Sequence, residues 1–245
     1  WITNLAIAGI DALVVRLLAQ LAVPIAAVAA AMAAQARGIG LFNVLGWPQA
    51  LEVAVALVVL DGAIYLQHVA SHKVPALWRL HRVHHADLDF DVTTALRFHP
   101  GEIALSMIYK VGLVFVLGPS ALAVVIFEVV LNASAIFNHA NVALPVPLDR
   151  ALRALIVTPD MHRVHHSVLR REHDTNFGFN LAIWDRLFGS YTPAPEGGQK
   201  GMTIGLGAYR SEGPSRLGWS LMLPLRPLSE PDGTRAPADE PTQAQ

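Results

Sequence analysis

Residues 103–139 read IALSMIYKVGLVFVLGPSALAVVIFEVVLNASAIFNH. Two apolar runs, Ile103–Leu117 and Ala121–Phe137, are parted only by Gly118-Pro119-Ser120. Gly-Pro is a helix-stop signal, so the stretch predicts two helices joined by a tight turn. A spanning helix needs about 20 residues, and Lys110 interrupts the first run. The pair therefore reads as a tight transmembrane hairpin or as a re-entrant pair. Either form returns the chain to the side it left. That return matters because histidines flank the hairpin, and the two groups can meet only on a shared side.

Two further apolar stretches precede the hairpin. One runs from Leu5 to Ala34, cleanest over Leu21–Ala34, and the other from Ala50 to Leu66. Asp11, Arg16 and Gln20 give the first an interfacial start. No cleavable signal peptide is expected, because Asp11 and Arg16 break that run and no basic stretch precedes it. Hydrophobic residues make up 53% of the 245 and charged residues 15%, against about 25% charged in soluble domains. The expected fold is all-α: about four membrane-inserted helices with a cytoplasmic, helical, histidine-rich cap.

Orientation is read from basic residues. Lys73, Arg79, Arg82 and Arg97 lie in His72–Pro100, and Arg150, Arg153, Arg163, Arg170, Arg171 and Arg186 in Asn141–Tyr191, whereas Gln35–Pro48 holds only Arg37. The positive-inside rule places both histidine-bearing segments in the cytoplasm. The net charge of −1 gives no sign of a nucleic-acid partner. The absence of cysteine excludes disulfides, thiolate metal sites and iron–sulfur clusters. A membrane-embedded domain is expected over residues 1–192. Residues 193–245 form an extension: Pro193–Gly207 as loop, Leu217–Leu228 as a partly interfacial segment, and a disordered tail from about 229.

All eleven histidines lie between His68 and His173. His68 and His72 stand at i and i+4, on one helical face, with Asp61 and Tyr65 continuing the stripe. A carboxylate in an apolar run is costly and usually functional, so Asp61 is a candidate to accept an N–H from a ligand imidazole. His81, His84 and His85 form an HxxHH box, as do His162, His165 and His166, and both boxes contain HRVHH. His139 follows the second hairpin helix. Neutral imidazole adds no charge, so many can gather where carboxylates would repel. One structural zinc takes about four ligands. Eight boxed histidines and His139 exceed that and favour two metal ions. His99 is held in reserve as a ligand, or as the cap of the helix begun by Pro100 and Glu102. His173 reads as a surface histidine, Asp185 and Arg186 as a structural ion pair, and Asn176 and Asp185 as candidates to support the metal ligands from behind by hydrogen bonds.

These strings together resemble the fatty acid hydroxylase/sterol desaturase superfamily. The matching stretches are Asp61–His72, LWRLHRVHH (Leu77–His85), TALRFHPGE (Thr94–Glu102), FNHANVALP (Phe137–Pro145), TPDMHRVHHS (Thr158–Ser167) and NFGFNLAIWDRLFGSY (Asn176–Tyr191). Val69 and Ala86 depart from residues common in that family, and neither removes a ligand. The resemblance implies a multi-pass membrane enzyme of the bacterial inner membrane or endoplasmic reticulum. It implies two iron ions, which zinc can replace on purification, with O2 as co-substrate, and hydroxylation or desaturation of a lipid such as a sterol or fatty acyl chain. Electrons would come from a separate ferredoxin- or cytochrome b5-type partner, since no flavin or nicotinamide fingerprint is present. Two alternatives remain: a metal-dependent lipid isomerase or hydrolase on the same scaffold, and a non-enzymatic membrane metal-binding protein. A transporter would place its ligands at the bilayer midplane, not in Arg-rich sequence beyond the apolar runs.

Overall fold

The computed structural model describes residues 1–21 and 27–227. The expected disordered tail and residues 22–26 of the stretch Leu21–Ala34 lie outside these residues. In chain order the α-helices among the described residues are α1 (Ile2–Leu21), α2 (Ala27–Ala36), α3 (Leu41–Leu45), α4 (Gln49–Lys73), α5 (Pro75–His85), α6 (Pro100–Leu117), α7 (Ala121–Asn138), α8 (Val146–Leu152), α9 (Pro159–His165), α10 (Arg170–His173), α11 (Ile183–Leu187), α12 (Gly198–Gly201) and α13 (Leu217–Met222). Among the described residues there is no strand, only isolated bridges at Ile156–Leu181 and Ser167–Ile204. The all-α expectation holds.

The stretch that decides the fold is a hairpin of two 18-residue helices, α6 and α7, each about 27 Å long. Gly118 ends α6 in the left-handed region at φ 63°, where an L side chain is disfavoured. The Ser120 hydroxyl then accepts from Ala123 N at 3.2 Å and caps α7. A Cβ on Gly40 would come within 2.3 Å of Gly118 N, so this turn packs backbone to backbone. Glu52, near the start of α4, accepts from Ser120 N at 2.9 Å. The start of α4 and the hairpin turn thus share one end of the bundle. At the opposite end α4 and α7 finish and α6 begins.

Among the described residues, four segments are long and apolar enough to cross a membrane: Ala27–Leu45, Gln49–Lys73, Pro100–Leu117 and Ala121–Asn138. The first is interrupted at residues 37–40. Ile108, Val116, Val125 and Val129 on the hairpin are exposed, as a face turned to hydrocarbon requires.

Residues 206–227 pack on the same core. Leu206 and Leu223 are buried with Ile7, Val83 and Ala86. Arg82 donates to the carbonyls of Leu223 at 2.6 Å and Arg226 at 2.8 Å. Arg97 donates to Val83 O, Asn4 Oδ1, Pro214 O and Ser220 Oγ at 2.6–2.9 Å. Two of the four cations that sequence reading counts between His72 and Pro100 are therefore buried internal straps. Their bonds hold residues 214–227 against α5.

Candidate metal centre

The stripe on α4 sets the site. Asp61, Tyr65, His68 and His72 are all buried on one face. Pro75 opens α5 at once, so the chain turns back and brings His81, His84 and His85 over His68 and His72. Thr158 caps α9 by accepting from Met161 N, and Pro159 takes the first helical position. This short helix presents His162 and His165, with His166 at its C-terminal cap. His139 is the cap residue of α7.

These nine histidines form two groups. His68, His72, His81, His85 and His165 make one, and His84, His139, His162 and His166 the other; within each group the ligand nitrogens lie within 4.8 Å of one another. Each HxxHH box is split between the groups, which the shared face of i, i+3 and i+4 does not by itself foretell. Nε2 of His139 lies 3.3 Å from Nε2 of His84 and 3.2 Å from Nε2 of His162. Nε2 of His68 lies 3.2 Å from Nε2 of His81. Two ligands bound tetrahedrally at about 2.0–2.1 Å stand roughly 3.3 Å apart, so these spacings match the edges of coordination polyhedra.

The opposite ring nitrogens fix the tautomers. His68 Nδ1 donates to Phe177 O, His139 Nδ1 to Ala135 O, His165 Nδ1 to Thr175 O and His81 Nδ1 to Glu102 Oε1, each at 2.7 Å. Each Nε2 is thereby left with a free lone pair, the pattern of metal-ligating histidine. Further buried nitrogens of His72, His84, His85, His162, His165 and His166 have no hydrogen-bond partner among the described residues. Buried polar atoms left without partners cost free energy, and bound cations would satisfy Nε2 of His85 and His165 and one nitrogen each of His72 and His166. The donor set fits two transition-metal ions.

The surroundings favour the neutral form of six of these rings. Burial, reinforced by neighbouring imidazoles, holds His84, His85, His162, His165 and His166 well below the ordinary histidine range. Burial lowers His139 to about 4, opposed by its bond to Ala135 O. Phe98 stacks on His84 with centroids 4.4 Å apart, and Phe90 on His139 at 5.5 Å.

Several sequence readings need correction. Asp61 does not meet an imidazole. It accepts from Trp184 Nε1 at 2.8 Å, Leu181 N at 3.1 Å and Asn180 N at 3.3 Å, and so holds the loop whose Phe177 carbonyl orients His68. Asp185 is not ion-paired with Arg186, whose guanidinium instead donates to Ala182 O and Arg153 O. Asp185 accepts from Phe177 N, Gly178 N and Ser190 Oγ at 2.7–2.8 Å. A Cβ at Gly178 would lie 2.7 Å from that carboxylate, so glycine is needed there. Asn176 sits at φ 51°, a region asparagine tolerates. Its amide donates to Met161 O and Thr192 O, tying the loop to α9.

His99 lies outside both groups. Its Nδ1 accepts from Gly101 N at 3.0 Å, so it caps α6. His173 is buried, not a surface residue. Trp78 stacks on it with centroids 5.6 Å apart, and it gathers with His72 and Asp174. Asp174 Oδ1 lies 3.4 Å from His72 Nδ1. Sequence reading missed Glu102 and Asp174 as partners of histidine. Glu102 was legible only as a first-turn acid, because its nearness to His81 depends on how residues 86–99 loop back.

A cavity of about 280 Å³ lies among α1, α4, α6 and α7, with His68 and His81 in its wall. Ile64, Ile103, Leu131 and Phe179 supply much of its apolar lining.

Comparison with known proteins agrees with this geometry. Residues 53–190, more than half of the chain, match the family model described as fatty acid hydroxylase. The chain is 32% identical over 164 residues to ornithine lipid hydroxylase OlsE of Rhizobium tropici, covering 64% of this chain and 47% of that protein. It is 31% identical over 168 residues to human alkylglycerol monooxygenase, covering 66% and 35% respectively. It is 26% identical over 146 residues to rat cholesterol 25-hydroxylase, covering 59% and 48%. The chain thus spans about half or less of the length of these relatives. No solved structure matches it. With the boxes, their geometry and the matched span in agreement, the chain belongs to the fatty acid hydroxylase family.

Proposed function

We propose that this chain is a multi-pass membrane oxidoreductase that uses two iron ions and O2 to hydroxylate a C–H bond of a lipid. The observation that carries the reading is the sorting of nine buried histidines into groups of five and four beside a largely apolar cavity that reaches His68 and His81. The five-membered group would hold one ion and the four-membered group the other. When bound, the iron pair would supply reduction of O2 and removal of hydrogen from an unactivated carbon. Imidazole accepts zinc as readily, so zinc can replace iron in purified protein.

The chain's own residues do the rest. Glu102, Phe177 O, Thr175 O and Ala135 O hold four imidazoles in one tautomer and orientation. Phe90, Phe98, Phe177 and Phe179 pack around the histidines and exclude water. The cavity wall, contributed by helices that also face the bilayer, positions the lipid. The names of the relatives speak of hydroxylation and monooxygenation, which favours an alcohol product over an alkene. The arginines around the histidine end favour a cytoplasmic location, where a ferredoxin- or cytochrome b5-type donor would deliver electrons. Residues 1–192 form the catalytic unit, and the segment up to 227 braces it.

The test is lipid profiling of cells with and without the gene, grown under labelled O2. A lipid carrying one labelled hydroxyl oxygen, present only with the gene, is the expected result. An unchanged profile would contradict the oxygenase reading.

A further inference from the structure

Lys110 interrupts an apolar helix, and the metal chemistry does not use it. Its Nζ lies 2.7 Å and 3.0 Å from the two carboxylate oxygens of Glu128 on α7. Both residues line the cavity that His68 and His81 line at its other end. The path between is marked on α6. Glu102, which meets His81, is followed by Ser106 and Lys110 at successive turns, and all three line the cavity. Eight residues of helix put Lys110 about 12 Å from Glu102 along the axis. Neither member of the pair is fully buried: the side chains of Lys110 and Glu128 keep 16% and 27% of their surface.

Ionisable groups within a membrane segment are expensive and usually functional. This pair is electrically neutral as a unit, yet offers an ammonium donor and a carboxylate acceptor side by side. A plain hydrocarbon end packed against it would strip its solvation with no compensation. A charged end would leave a net charge at the pair, since the cavity's other carboxylates, Asp11 and Glu102, neighbour each other towards the histidine end. A hydroxyl or an amide supplies both an acceptor for Lys110 and a donor for Glu128.

We infer that Lys110 and Glu128 form a polar subsite of the substrate cavity, which takes the hydroxyl or amide group of a neutral lipid and sets it about 12 Å from the histidine end. This rests on the reading that the cavity receives the lipid. It makes the pair the ruler that selects which carbon reaches His68 and His81.

The experiment uses the full chain, purified from iron-supplemented cells, in nanodiscs under argon. Binding of 1-hexadecanol, hexadecane and hexadecylamine is followed by the shift in unfolding temperature across a concentration series. The alcohol should bind at least about tenfold more tightly than the alkane, because a site built to hydrogen-bond a hydroxyl rejects the analogue that lacks it. The amine, cationic at neutral pH, should bind no better than the alkane. The double variant Lys110→Met/Glu128→Leu removes both charges together, so none is left unpaired. It should keep its metal content and lose the preference for alcohol. Equal binding of alcohol and alkane by the unaltered chain would overturn the inference whether or not the variant folds. So would an alcohol preference that survives in a metal-replete double variant. No O2 or turnover is involved. Failure of the oxygenase reading would show instead as an unchanged lipid profile in air.

Discussion

Oε1 of Glu102 lies 2.7 Å from Nδ1 of His81. The carboxylate at the head of α6 thereby fixes the orientation of the His81 imidazole on α5. Partners of this kind typically contribute about 10–100-fold to metal affinity. Glu102→Gln should weaken metal binding by roughly that factor in the five-membered group and leave the group built on His84 and His139 unchanged. Competition with a chelator, reading the two ions separately, checks this.

Asp185 tests the loop behind the site. Its carboxylate accepts from Phe177 N, Gly178 N and the Ser190 hydroxyl. Asp185→Ala would leave buried donors unsatisfied, at about 1–3 kcal/mol each. Unfolding in denaturant should show a loss of at least about 2 kcal/mol. The metal held by His68 and His165 should weaken as well, because Phe177 O and Thr175 O orient those rings. Asp185→Asn keeps an acceptor and should lose less.

Acid should destabilise the metal-free chain in a defined direction. Burial holds His139 at about 4 in the folded chain and five other site histidines well below their ordinary range. Unfolded histidines titrate near 6.5. Below that pH the unfolded chain binds more protons than the folded one, so stability falls as pH falls. For His139 the loss develops between about 6.5 and about 4. Thermal unfolding of chelator-stripped protein across this window should show a steadily falling midpoint. Metal-loaded protein should resist until protons displace the ions. A flat profile for the stripped protein would contradict the neutral, buried cluster.

Much of this architecture was legible from residue type and spacing. The Gly118-Pro119-Ser120 break gave the hairpin, and the return it implies brings His139 beside His84 and His162. The gathering of the nine histidines was legible because neutral imidazoles at i, i+3 and i+4 have few other reasons to cluster. What was not legible depends on loops. Asp61 lies on the predicted stripe, but its partners come from residues 180–184, whose path no periodicity reports. The burial of His173 depends on Trp78, which α5 brings over α10. Arg82 and Arg97 read as topological charges because their partners cannot be seen in sequence: carbonyls of Leu223 and Arg226 for Arg82, and Val83 O, Asn4, Pro214 O and Ser220 for Arg97.

Those straps yield a prediction of their own. Arg97 makes four hydrogen bonds that join α5, α1 and residues 214–220. Arg97→Met should cost more than about 2 kcal/mol, since hydrogen bonds to charged groups contribute about 1.5–3 kcal/mol each. It should also expose residues 207–227 to limited proteolysis while leaving the metal ligands in place. Cleavage unchanged from the unaltered chain would show that the segment is held by other means.

The division of nine histidines into two groups is tested most directly by metal content. Iron and zinc should be counted per chain in purified protein, His84→Ala and His165→Ala, all from iron-supplemented cells. The unaltered chain should hold two ions. His84→Ala should lose chiefly the ion of the four-membered group and His165→Ala chiefly that of the five-membered group, each keeping about one. One ion or none in the unaltered, folded protein would contradict the two-metal centre.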